Sequence, residues 1–226
     1  MMTAKEYVAL INEALNRIAN PLRALEMKAY MRNQFEFLGI QTPARRLIFK
    51  ALPKLPQDPK LILHIANELW EKPEREFKYV ACDLIAKNAK VLSLEDLTAI
   101  KKLLQKDAWW DTVDSLSGAI GDIFLKEKVN HHRSQEMMDA WLQDSDFWVR
   151  RSAMIHQLGW KNHTDTKRLS QYALKLSKES EFFIRKAIGW ALRDYARYNP
   201  EFVRSFMKTN GAEFSNLTVR EATKHL

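Results

Sequence analysis

Cysteine, glycine and proline are all scarce in this chain: 226 residues hold one Cys, six Gly and seven Pro. A lone thiol, Cys82, closes no internal disulfide and supplies no Cys-rich zinc site. Its apolar neighbours Val80, Ala81 and Leu84 mark it as a buried structural residue. So little glycine and proline excludes a collagen-like or low-complexity chain. No apolar run approaches the roughly 20 residues that span a bilayer. The opening MMTAKEYVAL also lacks the apolar core of a signal peptide. Together these absences predict a soluble, cytoplasmic protein.

Recognisable cofactor motifs are missing too. The six histidines show no HExxH spacing, and His131-His132 reads as a solvated loop pair near a helix end. No Gly-rich phosphate loop is present, so no nucleotide, metal or other cofactor is expected. No alternating apolar run with an Asn-Gly or Asp-Gly turn occurs, which argues against a sheet.

What is present is helix after helix. Thr3-Ala4-Lys5-Glu6 has the form of a capping box. Asn20-Pro21, Thr42-Pro43 and Asp58-Pro59 each set a capping residue before a proline suited to a first turn. Ser93-Leu94-Glu95-Asp96 opens a further helix. Between such signals apolar residues recur at three and four, giving about a dozen helices joined by short turns. With 46% hydrophobic residues, residues 1–226 are long enough to form one domain around a substantial core.

The helices repeat. DSDFWVRRSAMI (144–155) lies over ESEFFIRKAIGW (179–190) at an offset of 35. Acid stands over acid (Asp146, Glu181), aromatic over aromatic (Phe147 and Phe182, Trp148 and Phe183), Arg150 over Arg185 and Arg151 over Lys186. AWWDTVDS (108–115) is a looser copy, and NLTVREATKHL at the end suggests a fourth. Two-helix repeats of this length are HEAT-like and stack into a solenoid with one concave face. A tetratricopeptide array would need a Trp-Leu-Gly-Tyr pattern that is not visible here. Basic residues shared by successive repeats would make the concave face positive. A net charge of +8 and a pI near 9.5 suit nucleic acid as partner.

The segment WWDTVD (109–114) joins residues that prefer opposite surroundings. One reading packs Trp109 and Trp110 in the core, with Asp111 capping the helix and Asp114 as its third-position partner. The other turns some of them to a ligand: Trp110 and Asp114, four apart, share a helix face. Arg151 in the next repeat and Trp190 in the one after could converge with them, although Arg151 also suits an ion pair with Asp146 or its equivalent. Phe182-Phe183 reads as packing between repeats.

The segments FEFLGIQTPARR, ELWEKPEREF, WWDTVDS, GDIFLK, FWVRRSA and EFFIRKAIGWALRDYA resemble, in order and spacing, the AlkD family of alkylpurine DNA glycosylases. The likeness covers nearly the whole chain. It implies tandem HEAT-like repeats and excision of N3- and N7-alkylated purines from duplex DNA, without enclosure of the lesion in a base pocket. It implies a catalytic cluster of Asp114, Trp110 and Trp190, with Arg151 as a clamp on DNA phosphate and Tyr30, in KAYMRNQF, bordering the site. Arg150, Arg185 and Lys186 are further DNA-binding candidates from the repeat pattern. The expected protein is a monomer acting on DNA, with no membrane or obligate protein partner. A competing expectation is a non-catalytic helical-repeat protein that binds damaged or branched DNA.

Overall fold

The computed structural model describes residues 2–126 and 131–226. Among the described residues it is all-helical: thirteen α-helices, three short 3-10 turns and one isolated β-bridge, Glu36 to Glu74. No helix among them is long and apolar enough to cross a membrane. The chain divides into two compact units, Met1–Leu103 and Leu104–Leu226.

The first unit holds α1 (Ala4–Asn16), α2 (Pro21–Tyr30), α3 (Thr42–Ala51), α4 (Pro59–Trp70), α5 (Arg75–Lys87) and most of α6 (Leu97–Gln105). The start signals work largely as expected. Thr3 and Glu6 form the capping box of α1, and the side chains of Asn20 and Asp58 accept from Arg23 N and Lys60 N. Ser93 opens a 3-10 turn, Leu94–Asp96, that runs into α6, and its N–H donates to Asp96 at 2.8 Å. Thr42 is a correction: α3 already includes it, and Gln41 stands at the cap without a side-chain bond. Helix α4 packs on α1 and α5. Its residues Ile62, Ile65, Leu69 and Trp70 are buried with Ile11, Leu15, Phe77 and Leu84, and Cys82 lies in the same core.

Between α2 and α3 the chain turns through Arg32 and Asn33, both at positive φ, and Gly39 at φ +83°. A Cβ on Gly39 would stand 2.1 Å from Asn20 O, so only glycine lets the loop pass that close. Glu76 then fixes the loop. Its wholly buried carboxylate accepts from Leu38 N, Gly39 N and Ile40 N at 3.0, 2.9 and 3.0 Å. These bonds satisfy three backbone donors that no helix could serve.

The second unit holds α7 (Trp110–Lys126), α8 (His131–Trp141), α9 (Phe147–Ile155), α10 (Thr166–Leu176), α11 (Phe182–Ala196), α12 (Pro200–Asn210) and α13 (Asn216–Ala222). Helix α9 packs on α7 and α11, and α11 packs on α13. His131 opens α8 rather than closing a loop, and the exposed His132 faces Glu136 at 3.3 Å. The repeat is physical as well as textual. Asp146 and Glu181 cap α9 and α11 in the same way, accepting from Trp148 N and Phe183 N. Arg150 and Arg185 each donate to a carbonyl six residues back, Asp144 O at 2.6 Å and Glu179 O at 2.9 Å. Where α7 meets the end of α9, Gly121 is obligatory, because a Cβ there would lie 2.1 Å from His156 O.

Candidate active site

Helix α7 begins at Trp110, so Asp111 lies inside its first turn and Asp114 one turn further on. The expected cap at Asp111 is therefore overturned: the helix starts two residues earlier than that cap would set it, and the Asp111 carbonyl accepts from Ser115 Oγ. The two tryptophans divide the work. Trp109, just outside the helix, packs against Trp148 and Phe183 with ring centroids 5.8 and 5.1 Å away. Trp148 and Phe183 themselves lie 4.8 Å apart. This aromatic cluster ties the starts of α7, α9 and α11 together.

Trp110 instead lines a cleft of about 340 Å³ with Asp114, Arg151, Phe182, Phe183, Lys186 and Trp190; Arg193 and Glu221 complete its wall. The convergence expected of Trp110, Asp114, Arg151 and Trp190 is thus present, entirely within the second unit. The aromatic pair splits: Phe183 packs into the cluster and also reaches the cleft, while Phe182 is half exposed beside it.

Arg151 is occupied differently from the expected phosphate clamp. It is 4% exposed, and its Nε and Nη2 donate to Asp114 Oδ1 and Oδ2 at 2.8 and 2.9 Å. Its Nη1 donates to Phe183 O at 2.5 Å. Such a fork fixes a carboxylate in position and plane more firmly than a lysine could. Burial pushes the Asp114 carboxyl above its ordinary range, against the bonds and charge of Arg151, which favour ionisation.

The other candidates are held in different ways. Arg150 is committed to Glu179, with Nε and Nη2 at 2.7 and 2.8 Å from its two oxygens. Arg185 is half-buried and bonded to Glu179 O. Lys186 lies 2.9 Å from Glu221, on the cleft wall. Tyr30 belongs to the first unit, exposed at the last residue of α2.

With this geometry in place, the comparisons with known proteins fall into line. A family model described as DNA alkylation repair enzyme matches residues 11–226. The chain belongs to that DNA alkylation repair family. Among solved structures, a protein from Enterococcus faecalis described as a predicted DNA alkylation repair enzyme is 34% identical, with a TM-score of 0.80. That match covers 92% of this chain and 96% of the relative. Two proteins of Streptococcus mutans share the fold at lower identity. AlkD2 is 19% identical with a TM-score of 0.64, covering 99% of each chain. The protein called smu.31 is 20% identical with a TM-score of 0.61, covering 99% of this chain and all of that one. No functionally curated protein matches at a significant level. The all-helical architecture is that of helical-repeat DNA alkylation repair proteins.

Sequence reasoning missed two residues of the family member's cleft. Arg193 follows Lys186 and Trp190 at seven and three residues, so helical periodicity on α11 could have found it. Glu221 carried a subtler signal. Positions 151, 186 and 221 are spaced by 35, so Glu221 stands at the register of Arg151 and Lys186 with the opposite charge.

Proposed function

We propose that this protein is a monofunctional DNA glycosylase that excises N3- and N7-alkylated purines from duplex DNA and leaves an abasic site. One observation carries the reading: a largely enclosed aspartate, its side chain 15% exposed and held by a bidentate arginine, lines a cleft with two tryptophans. A purine alkylated at N7 or N3 bears a positive charge and leaves without protonation. The C1′–N bond breaks with its electron pair going to the base, which departs neutral, and cationic character passes to the deoxyribose. Asp114, ionised, stabilises that oxocarbenium-like sugar. It also orients the water whose oxygen bonds C1′ and whose proton is released. Each Asp114 oxygen gives Arg151 one lone pair and keeps another for this work. One carboxylate suffices because the leaving group needs no acid, unlike the paired carboxylates of most glycoside hydrolases.

Trp110 and Trp190 supply aromatic faces that pack on the sugar and attract the cationic lesion. Arg151 is a positioning residue that acts through Asp114. The test is incubation with duplex DNA containing 7-methylguanine, with free base and alkali-labile sites both quantified. Release of 7-methylguanine with an equal yield of abasic sites supports the proposal. Duplex binding without release would make this a non-catalytic DNA-binding repeat protein.

A further inference from the structure

The cleft wall on α11 carries a second ion-pair system. Lys186, Trp190 and Arg193 recur at four and three, so α11 turns a cation, an aromatic ring and a second cation towards the cleft. Both cations meet one acid. Glu221 Oε1 lies 2.9 Å from Lys186 Nζ, and Glu221 Oε2 lies 2.7 Å from Arg193 Nη1. Helix α13 delivers this acid at unusually close range. A Cβ on Gly189 would stand 2.5 Å from Glu221 Cβ and 2.9 Å from Thr218 O. Thr218 Oγ1 ties the same helix to Arg185 O at 3.0 Å.

The two carboxylates of the cleft differ in how they are held. Asp114 is gripped by one arginine whose side chain is 5% exposed. Glu221 straddles two cations, and one of them, Lys186, has a side chain 37% exposed. Among the described residues three cations and two carboxylates line the cleft, so Lys186 and Arg193 share a single counter-charge. A DNA phosphate offers two anionic oxygens at a similar span and would compete for the same donors. Arg151 is sequestered by Asp114, which leaves this pair as the cations of the cleft wall that can meet a phosphate.

We propose that Glu221 sets the strength of DNA binding in this cleft by occupying Lys186 and Arg193 until a backbone phosphate of the duplex takes its place. The proposal rests on the DNA reading above. It makes Glu221 a specificity-determining residue, because an intramolecular anion weakens hold on any duplex whose remaining contacts are poor. A phosphate that displaces Glu221 gains less than one meeting bare cations. Removing the carboxylate should therefore tighten binding to undamaged DNA and raise its salt dependence.

The experiment measures fluorescence anisotropy of an undamaged labelled duplex across a salt series, for wild type, Glu221→Gln, Lys186→Gln and the double variant. Each neutralised phosphate contributes about 0.9 to the slope of log K against log salt, so the one phosphate that meets the freed cations should steepen it by about 1 in Glu221→Gln. Affinity of Glu221→Gln should rise on the order of tenfold at moderate salt by the same counterion release. Lys186→Gln should cost little in wild type and several-fold more in the Glu221→Gln background. Glu221→Asp, which keeps the charge but shortens its reach, should move both readouts the same way by less, and serves if the glutamine variant fails to fold. An unchanged slope with equal or weaker binding overturns the proposal and leaves Glu221 as an anchor for α13. If wild type still releases 7-methylguanine in that case, only this inference fails. Absence of salt-dependent duplex binding by wild type overturns the DNA reading and this inference together.

Discussion

Each unit of the chain holds a carboxylate in fixed hydrogen bonds, one buried and one partly exposed, and the two are put to opposite uses. In the first unit Glu76 is wholly enclosed and spends both oxygens on the amides of Leu38, Gly39 and Ile40. In the second, Asp114 is held just as firmly by Arg151, yet it lines an open cleft beside two tryptophans. Backbone donors are fixed by the chain, so Glu76 is an acceptor built into a loop. A side-chain donor can be supplied from the next repeat, which leaves one face of Asp114 available for chemistry. Burial and hydrogen bonding alone therefore do not distinguish a structural acid from a reactive one. What surrounds the remaining lone pairs does.

The same isosteric change at both sites should pull the comparison apart. Asp114→Asn removes the charge that meets the developing cation, and excision of 7-methylguanine under single-turnover conditions should fall about 10³-fold, or about 4 kcal/mol of barrier. The fold should persist, because an asparagine still accepts from one Arg151 N–H. Since burial raises Asp114, the acid limb of the wild-type pH profile should sit above the ordinary aspartate range. A profile flat into that range would remove Asp114 from the rate-limiting step. Glu76→Gln should do the reverse. Its amide nitrogen would face backbone donors in a closed space, costing about 3 kcal/mol in chemical denaturation. Excision per folded molecule should be unaltered. A stability loss from Asp114→Asn matching that of Glu76→Gln would make both acids structural.

Much of this was legible beforehand, and the gaps have physical causes. Caps and periodicity identified the all-helical chain, and the offset of 35 identified α9 and α11 as equivalent, down to their caps. The meeting of Trp110, Asp114, Arg151 and Trp190 was expected from the family resemblance. The pairing of Arg151 with Asp114 was not, because the repeat pattern pointed to an acid equivalent to Asp146. Lateral packing of α7 on α9 decides that partner, and periodicity says nothing of lateral packing. Asp111 misled for a simpler reason: a good capping residue is also tolerated in a first turn, and with Trp109 packed on Phe183 α7 starts two residues earlier than a cap at Asp111 would set it. Glu76 left no local signal, since its three donors lie 36 to 38 residues away.

Two further measurements sharpen the contrast inside the second unit, where structural and functional polar groups lie on the same helices. His156 is fully buried, its Nδ1 is 2.7 Å from Ala153 O, and burial depresses its pKa to about 4. The unfolded chain binds the proton near pH 6.5 and the folded one only near 4, so stability should fall as pH drops through that window. The full loss is about 3 kcal/mol below pH 4, with no contribution above 6.5. Urea titrations across this range should show the slope in wild type and a flatter one in His156→Gln. An equal slope in both would move the acid sensitivity elsewhere.

Arg150 gives the smallest effect and the clearest separation. The repeat pattern offers Arg150 as a DNA contact, on the same terms as Lys186. The structure gives it a bidentate partner in Glu179 and two backbone carbonyls, Asp144 O and Ser145 O. Arg150→Ala should then cost about 2 kcal/mol of stability, the value of a few part-buried charged hydrogen bonds. That corresponds to a Tm lower by about 6 °C for a chain of this size. The salt slope of duplex binding should not move, because a cation already neutralised within the fold releases no counterion from DNA. A slope shallower by about 1 with unchanged Tm would instead make Arg150 a phosphate contact that leaves Glu179 on binding. Arg150 and Lys186 would then follow the same exchange, one at each end of the repeat's basic register.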